Sequence, residues 1–224
     1  DGLPVCIRLF DPPLHEFLPS DHAGHRALAE ALDIPLADVT RRVEAMGEYN
    51  PMLGLRGVRL GITVPEIYDM QVRAIFEAAI DVSKEGMPIV PEIMIPLVSA
   101  KREVELVKMR VDIVAAAVKA ETGAEFEYQL GVMVETPRAA LRAEDIAENV
   151  SFLSFGTNDL TQMTYGLSRD DAGRFMTEYV RQGVFEEDPF HTLDVDGVGE
   201  LLILGAKRGR AARPPRAIAP RAGA

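Results

Sequence analysis

Short aliphatic and β-branched runs that alternate with longer amphipathic segments predict an α/β fold built from βα units around a parallel sheet. Two successive apolar runs each end in a carboxylate: Tyr128 to Val134 gives way to Glu135, and Ser151 to Phe155 is followed by Gly156-Thr157-Asn158-Asp159. Polar groups at successive strand ends suit a (β/α)8 TIM-type barrel, whose chemistry gathers at the carboxyl rim; an open doubly wound sheet shares the alternation but fits less well. Five strands can be read from the chain, fewer than the eight of a closed barrel, so the expected fold is a partial one.

The elements follow in order. Leu3 to Phe10 reads as a strand stopped by Asp11-Pro12-Pro13. His22 to Leu32 and Leu36 to Met46 have helical character, and the turn-rich passage Glu48 to Gly57 is a loop. Val58 to Leu60 reads as a brief strand. Pro65 to Ser83 carries Ile67, Met70, Ile75, Ala78 and Ala79 at helical spacing. Ile89 to Leu97 is almost wholly apolar, as in a strand covered on both faces. Val98 to Thr122 is a long helix with Ser99 as N-cap and Gly123 as its stop. After Glu135, Thr136-Pro137 opens a helix to Glu148 as N-cap and first-turn proline.

Composition narrows the function. The 224 residues carry a net charge of −11, which argues against nucleic acid or a membrane surface as the main partner. A single cysteine, Cys6, precludes an internal disulfide and points to a reducing, cytoplasmic setting; inside an apolar strand it reads as core filler. No apolar run reaches the length of a membrane span. Residues 1–206 hold 18 basic and 35 acidic side chains, whereas Lys207 to Ala224 hold six basic residues, no acidic ones and three prolines. The expected division is therefore a domain over 1–206 and a basic, disordered tail over 207–224.

If the two carboxylate-ended strands are parallel neighbours, Glu135 and Asp159 share a rim and can hold one hard divalent cation. Each has a plainer reading, Glu135 as a solvated residue beside a helix cap and Asp159 as a favourable charge in a first turn. Arg8, Arg56 and Arg59 are donors suited to phosphate. Arg8 could instead pair with Asp11, and Arg59 with Glu66 or Glu48, the structural reading being preferred for Arg59.

Five blocks together carry a family resemblance: Arg8-Leu-Phe-Asp-Pro-Pro-Leu-His-Glu-Phe17, Asn50-Pro-Met-Leu-Gly-Leu-Arg-Gly-Val-Arg-Leu60, Pro91-Glu-Ile-Met-Ile-Pro-Leu97, Val134-Glu-Thr-Pro-Arg-Ala-Ala140, and Ser154 to Asp171. They resemble the C-terminal, phosphoenolpyruvate/pyruvate-binding domain of the pyruvate, phosphate dikinases, within the phosphoenolpyruvate-utilising enzymes. The resemblance implies a phosphotransferase barrel that uses Mg2+, with phosphate passing between phosphoenolpyruvate/pyruvate and a phosphohistidine on another domain. It implies Arg8 and Arg56 on the substrate phosphate and Glu135 and Asp159 as metal ligands. It also puts Asn158 on a substrate oxygen, with Gly156 and Thr157 beside it in the binding loop. Arg8, Arg56 and Asn158 are the residues it makes catalytic.

The same resemblance implies partners: nucleotide-binding and phosphohistidine domains of the parent enzyme, and a homo-oligomer in the complete enzyme. It sets this chain as a barrel without its first and last two strands, the family pattern being lost near Pro214, as by truncation or frameshift. The alternative reading is a non-catalytic fragment acting at most as a binding or assembly module.

Overall fold

The computed structural model describes residues 3–47, 50–86 and 88–212. Its centre is a four-stranded parallel sheet in the order β1 (Cys6–Arg8), β2 (Glu92–Ile95), β3 (Gln129–Val134) and β4 (Phe152–Phe155). Strand order follows chain order, so each crossover returns beside the strand it left, as βα units require. The register pairs Arg8 with Met94, Ile95 with Val132 and Val134 with Phe155, which brings the carboxyl ends of all these strands to one side.

The helices between the strands form for identifiable reasons. Helix α1 (His22–Leu32) is capped by Asp21, whose carboxylate accepts from the Gly24 amide at 2.7 Å. It is followed by α2 (Leu36–Ala45), α3 (Val58–Thr63) and α4 (Pro65–Glu85). α4 opens on a proline and buries Tyr68, Val72, Ile75, Phe76, Ala79 and Ile80. This is not quite the face read from the sequence, since Met70 is 67% exposed: Tyr68 and Phe76 supply the bulk that sets the inward direction.

Helix α5 (Lys101–Thr122) begins later than expected and is not capped by Ser99. Instead the Glu103 carboxylate reaches back to accept from the Ser99 and Ala100 amides at 2.7 and 2.9 Å, satisfying donors that a helix start leaves open. Gly123 ends it in the left-handed region at φ 68°, its amide bonded to the Lys119 carbonyl. Thr136 caps the next helix as expected, accepting from the Ala139 amide at 3.1 Å. That helix is broken at Arg142 into α6 (Pro137–Leu141) and α7 (Ala143–Ala147). After β4 come α8 (Thr157–Tyr165), α9 (Arg169–Ala172), α10 (Met176–Arg181) and α11 (Val198–Ala212).

Two expectations are corrected. Val58 to Leu60 is the first turn of α3, not a strand: Gly57 turns the chain at φ 56°, and the Gly61 amide bonds back to the Gly57 carbonyl. Two apolar residues flanking an arginine cannot distinguish strand from buried helix, and the described residues form four strands, not five. At the other end, Lys207 to Ala212 belong to α11, with Gly209 buried, Ala212 against the core, and the Arg208 guanidinium donating to the Leu141 carbonyl. The tail expected from Lys207 thus begins no earlier than residue 213, and residues 213–224 lie outside the described residues.

The core is one contiguous cluster. Ile93, Ile95, Val132, Val134 and Leu153 of the sheet meet Phe76, Val104, Val111, Val118 and Ile146 of the helices, all at 2% exposure or less. No helix among the described residues is long and apolar enough to cross a membrane.

Candidate functional site

Because the strands are parallel, the segment after each one opens on the same rim. Asp11 follows β1, Leu97 follows β2, Glu135 follows β3, and Gly156 joins β4 to α8, whose first turn holds Thr157, Asn158 and Asp159. Arg56 arrives from the loop before α3, anchored by the Gly57 amide donating to the Asp11 carbonyl at 2.7 Å. On this rim lies a cavity of about 390 Å³ whose wall includes Arg8, Asp11, Arg56, Glu135, Gly156, Thr157, Asn158 and Asp159. Every site residue named from the sequence lies there, except that Arg59 donates to the Gly54 carbonyl at 2.8 Å and takes no part in the wall.

The charges are interlocked. Arg56 Nη2 donates to Asp11 Oδ2 at 2.7 Å and lies 3.4 Å from Asp159 Oδ2, so one guanidinium bridges two strand ends. Arg8 Nη1 stands 3.2 Å from the same Asp11 oxygen, with its side chain 44% exposed toward the cavity mouth. Burial works against the Arg56 charge, but Asp11, Asp159 and Glu135 more than compensate, and its pKa lies above the ordinary value. Gln162, one turn into α8, donates to Asp159 Oδ1 at 2.9 Å and so fixes the carboxylate it faces.

Glu135 is 2% exposed. Its Oε1 accepts from the Leu97 amide at 2.6 Å, an approach that requires Leu97 to adopt a left-handed backbone at φ 61°. Burial, then repulsion from Asp159 and Asp11, pushes the Glu135 carboxyl up to about 8, against the pull of the Leu97 amide and Arg8. Beside it Gly156 is needed for space: a Cβ there would sit 2.6 Å from Glu135 Oε2 and 2.8 Å from Met133 Sδ. A side chain at 156 would therefore wedge the two strand-end acids apart.

Asp11 is the residue that sequence reasoning undervalued, naming it only as an ion-pair partner for Arg8. It is 4% exposed and joins both arginines, and its second oxygen, like Arg56 Nε, is buried without a hydrogen bond. Its signal was its place, three residues after Arg8 at the end of a strand and directly before two prolines.

This donor set fits a hard divalent cation. Glu135 and Asp159 offer carboxylate oxygens from adjacent strand ends, and the described residues include no cluster of three or more metal-ligating side chains. Magnesium commonly takes only one or two protein carboxylates and completes its octahedron with water and substrate oxygens. The charge balance points the same way, since the two guanidiniums of the wall face four acids, Asp11, Glu16, Glu135 and Asp159, and are outnumbered even when Glu135 holds its proton. A multiply charged anion would meet net repulsion there unless a cation entered with it.

Residues 1–213 match the family model described as PEP-utilising enzyme, PEP-binding domain. The chain belongs to this family. Among curated relatives of PEP-utilising type, it is 54% identical over 210 residues to the pyruvate, phosphate dikinase of Rhizobium meliloti, a match covering 93% of this chain and 23% of that protein. The pyruvate, phosphate dikinase of Clostridium symbiosum is 52% identical over 215 residues, covering 96% and 25%. A chloroplastic pyruvate, phosphate dikinase of Flaveria pringlei is 50% identical over 216 residues, covering 96% and 23%. The chain thus spans about a quarter of the length of the relatives it matches. Among solved structures, a citrate lyase from Burkholderia xenovorans aligns with TM-score 0.38 and 20% identity over 54% of this chain and 33% of that one, too slight a likeness to bear on function.

Proposed function

We propose that this chain is the phosphoenolpyruvate/pyruvate-binding part of a pyruvate, phosphate dikinase. In that role a phosphoryl group passes between phosphoenolpyruvate/pyruvate and a phosphohistidine on another domain. The observation that carries the reading is that Arg8, Arg56, Glu135, Asn158 and Asp159, separate in sequence, line one cavity of a PEP-utilising chain.

Phosphoryl transfer asks a protein mainly for position and for charge stabilisation around the phosphate oxygens. Arg8, whose side chain is 44% exposed at the mouth, can swing from Asp11 onto an incoming phosphate, while Arg56, held at two strand ends, supplies a fixed positive wall. Glu135 and Asp159 would hold Mg2+, which when bound supplies neutralisation of negative charge on the substrate oxygens. Asn158 and Thr157, at the first turn of α8, present an amide and a hydroxyl for the carboxylate or carbonyl oxygen of the three-carbon unit, and Gly156 lets that unit approach the Glu135 wall.

The surrounding protein belongs to the same proposal. The four-stranded sheet is read as part of a (β/α)8 barrel completed by strands before β1 and after β4. Turnover is assigned to the parent enzyme with its nucleotide-binding and phosphohistidine domains, in a homo-oligomer of a cytoplasmic type. Calorimetric titration with phosphoenolpyruvate, with and without Mg2+, tests it. Magnesium-dependent binding that disappears in Glu135→Ala supports the reading, and a folded chain that binds neither alone nor with Mg2+ overturns it.

A further inference from the structure

Helix α4 reaches the end of β1 with two polar groups, the Tyr68 hydroxyl and the Gln71 carboxamide, that its apolar packing does not require. Tyr68 and Gln71 stand one turn apart on the same face. The Gln71 Oε1 accepts from the Phe10 amide at 2.8 Å, and its Nε2 donates to the Arg8 carbonyl at 3.3 Å. Tyr68 Oη donates to the Phe10 carbonyl at 3.0 Å. Both peptide groups of Phe10 and the carbonyl of Arg8 are thereby held from one side.

The other side is held by the sheet. The Leu9 amide donates to the Met94 carbonyl of β2 at 2.9 Å, so the groups of Leu9 face β2 while those of Arg8 and Phe10 face away. Arg8 C=O and Phe10 N–H are the pair that a further parallel strand would bind. A carboxamide, with one acceptor and donors in one plane, can serve both.

These bonds are not what docks α4. Val72, Ile75, Phe76, Ala79 and Ile80 already bury its inner face, while the polar contacts fall only on the peptide groups between Arg8 and Asp11. Space for the tyrosine is also reserved: a Cβ at Gly61 would lie 2.3 Å from the Tyr68 ring.

The geometry points to Tyr68 and Gln71 as positioning residues for the anion site, fixing the backbone from which Arg8 and Asp11 extend. The inference rests on the proposed phosphoenolpyruvate-binding role, and it adds residues that touch no ligand themselves. A side chain leaving a backbone tied on both edges needs little reordering to meet its ligand.

The test uses the full chain and the variants Gln71→Met, nearly isosteric, and Tyr68→Phe, which removes one hydroxyl. The first readout needs no ligand: 15N relaxation at the Arg8 Nε, with Arg110, paired to Asp69, as internal reference. Both variants should loosen Arg8 and leave Arg110 unchanged. The second is magnesium-dependent phosphoenolpyruvate affinity, expected to fall about tenfold, with the loss largely absent when Arg8 is already Gln, as residues acting through one another require. Ile80→Val, a core change in α4 nine residues beyond Gln71, controls for a general loss of stability and should move neither readout.

An Arg8 that stays ordered in both variants overturns the inference, as does an affinity loss undiminished in the Arg8→Gln background. Loosened Arg8 with unchanged affinity also overturns it. If the unaltered chain binds no phosphoenolpyruvate, the proposed function falls, and the positioning role is then decided by relaxation alone: a loosened Arg8 sustains it and an ordered one ends it.

Discussion

Replacing Glu135 by Gln isolates the cost of keeping an acid in the rim of the sheet. The folded chain raises this carboxyl from 4.5 to about 8, so the folded state binds the proton more tightly than the unfolded state. Below the unfolded value the group costs nothing. As pH rises above it, the unfolded chain ionises first and stability falls, until the folded carboxyl also ionises near pH 8. At 1.36 kcal/mol per pKa unit, the penalty is about 3 kcal/mol at pH 7 and about 5 kcal/mol beyond pH 8.

Glutamine keeps an oxygen to accept the Leu97 amide and has no charge to lose, so Glu135→Gln should match the parent near pH 5 and exceed it increasingly up to about pH 9. Urea unfolding of both proteins across that range, analysed as a stability difference at each pH, measures it, because the titrations of groups remote from residue 135 cancel in the difference. A difference that stays flat, or falls as pH rises, would refute the account of Glu135 as a buried acid strained by burial and by its acidic neighbours.

The other predictions concern the geometry around that acid. Arg56→Met should destabilise the chain by about 2–4 kcal/mol, because it leaves buried Asp11 and half-buried Asp159 without the charge that joins them; thermal unfolding at low salt checks this, and no change would mean the bridge is spectator. Gly57→Ala should cost about 2 kcal/mol, since a side chain is forced to positive φ and its Cβ meets Leu97 Cβ at 2.8 Å; denaturant midpoints report it. Gly156→Ala should weaken magnesium-dependent phosphoenolpyruvate binding far more than it lowers the melting temperature, because the added Cβ presses on Glu135 and on Met133, both in the cavity wall. Equal effects on both would place Gly156 in the packing and not in the site.

Much of this site was legible because its residue types declare themselves as a set. Taken singly, a carboxylate after an apolar run, a Thr-Pro helix start and a Gly-Thr-Asn-Asp segment each have plainer uses; it is their occurrence together, in blocks that resemble one family, that points to a shared rim. Helix α1 and the stop at Gly123 were equally open to reading, since local side-chain chemistry determines both. What escaped were features set by distant contacts. Val58 to Leu60 became helix because Gly57 is pinned to Asp11, 46 positions away by the numbering of that bond, and no local pattern encodes that. Met70 was assigned to the wrong face because the weight of Tyr68 and Phe76 decides which way α4 turns. Asp11 was underrated because an aspartate before two prolines looks like a stop signal; only the fold shows it holding two arginines. The start of α5 depended on a Glu three residues inside the helix, so the neighbouring serine drew attention away from it.

Leu97 joins two demands in one residue. Its side chain is fully buried while its left-handed backbone turns an amide toward Glu135. Glycine would relax the backbone but empty a core position, and β-branched residues would fill the core but resist that backbone. In a saturation library selected for binding, position 97 should therefore tolerate almost nothing, as strictly as a ligand-contacting residue, though it meets no ligand. Reading tolerance as a map of contact would then misplace the site by a whole strand, and a recombination breakpoint between β2 and β3 would sever the acid from the amide that holds it.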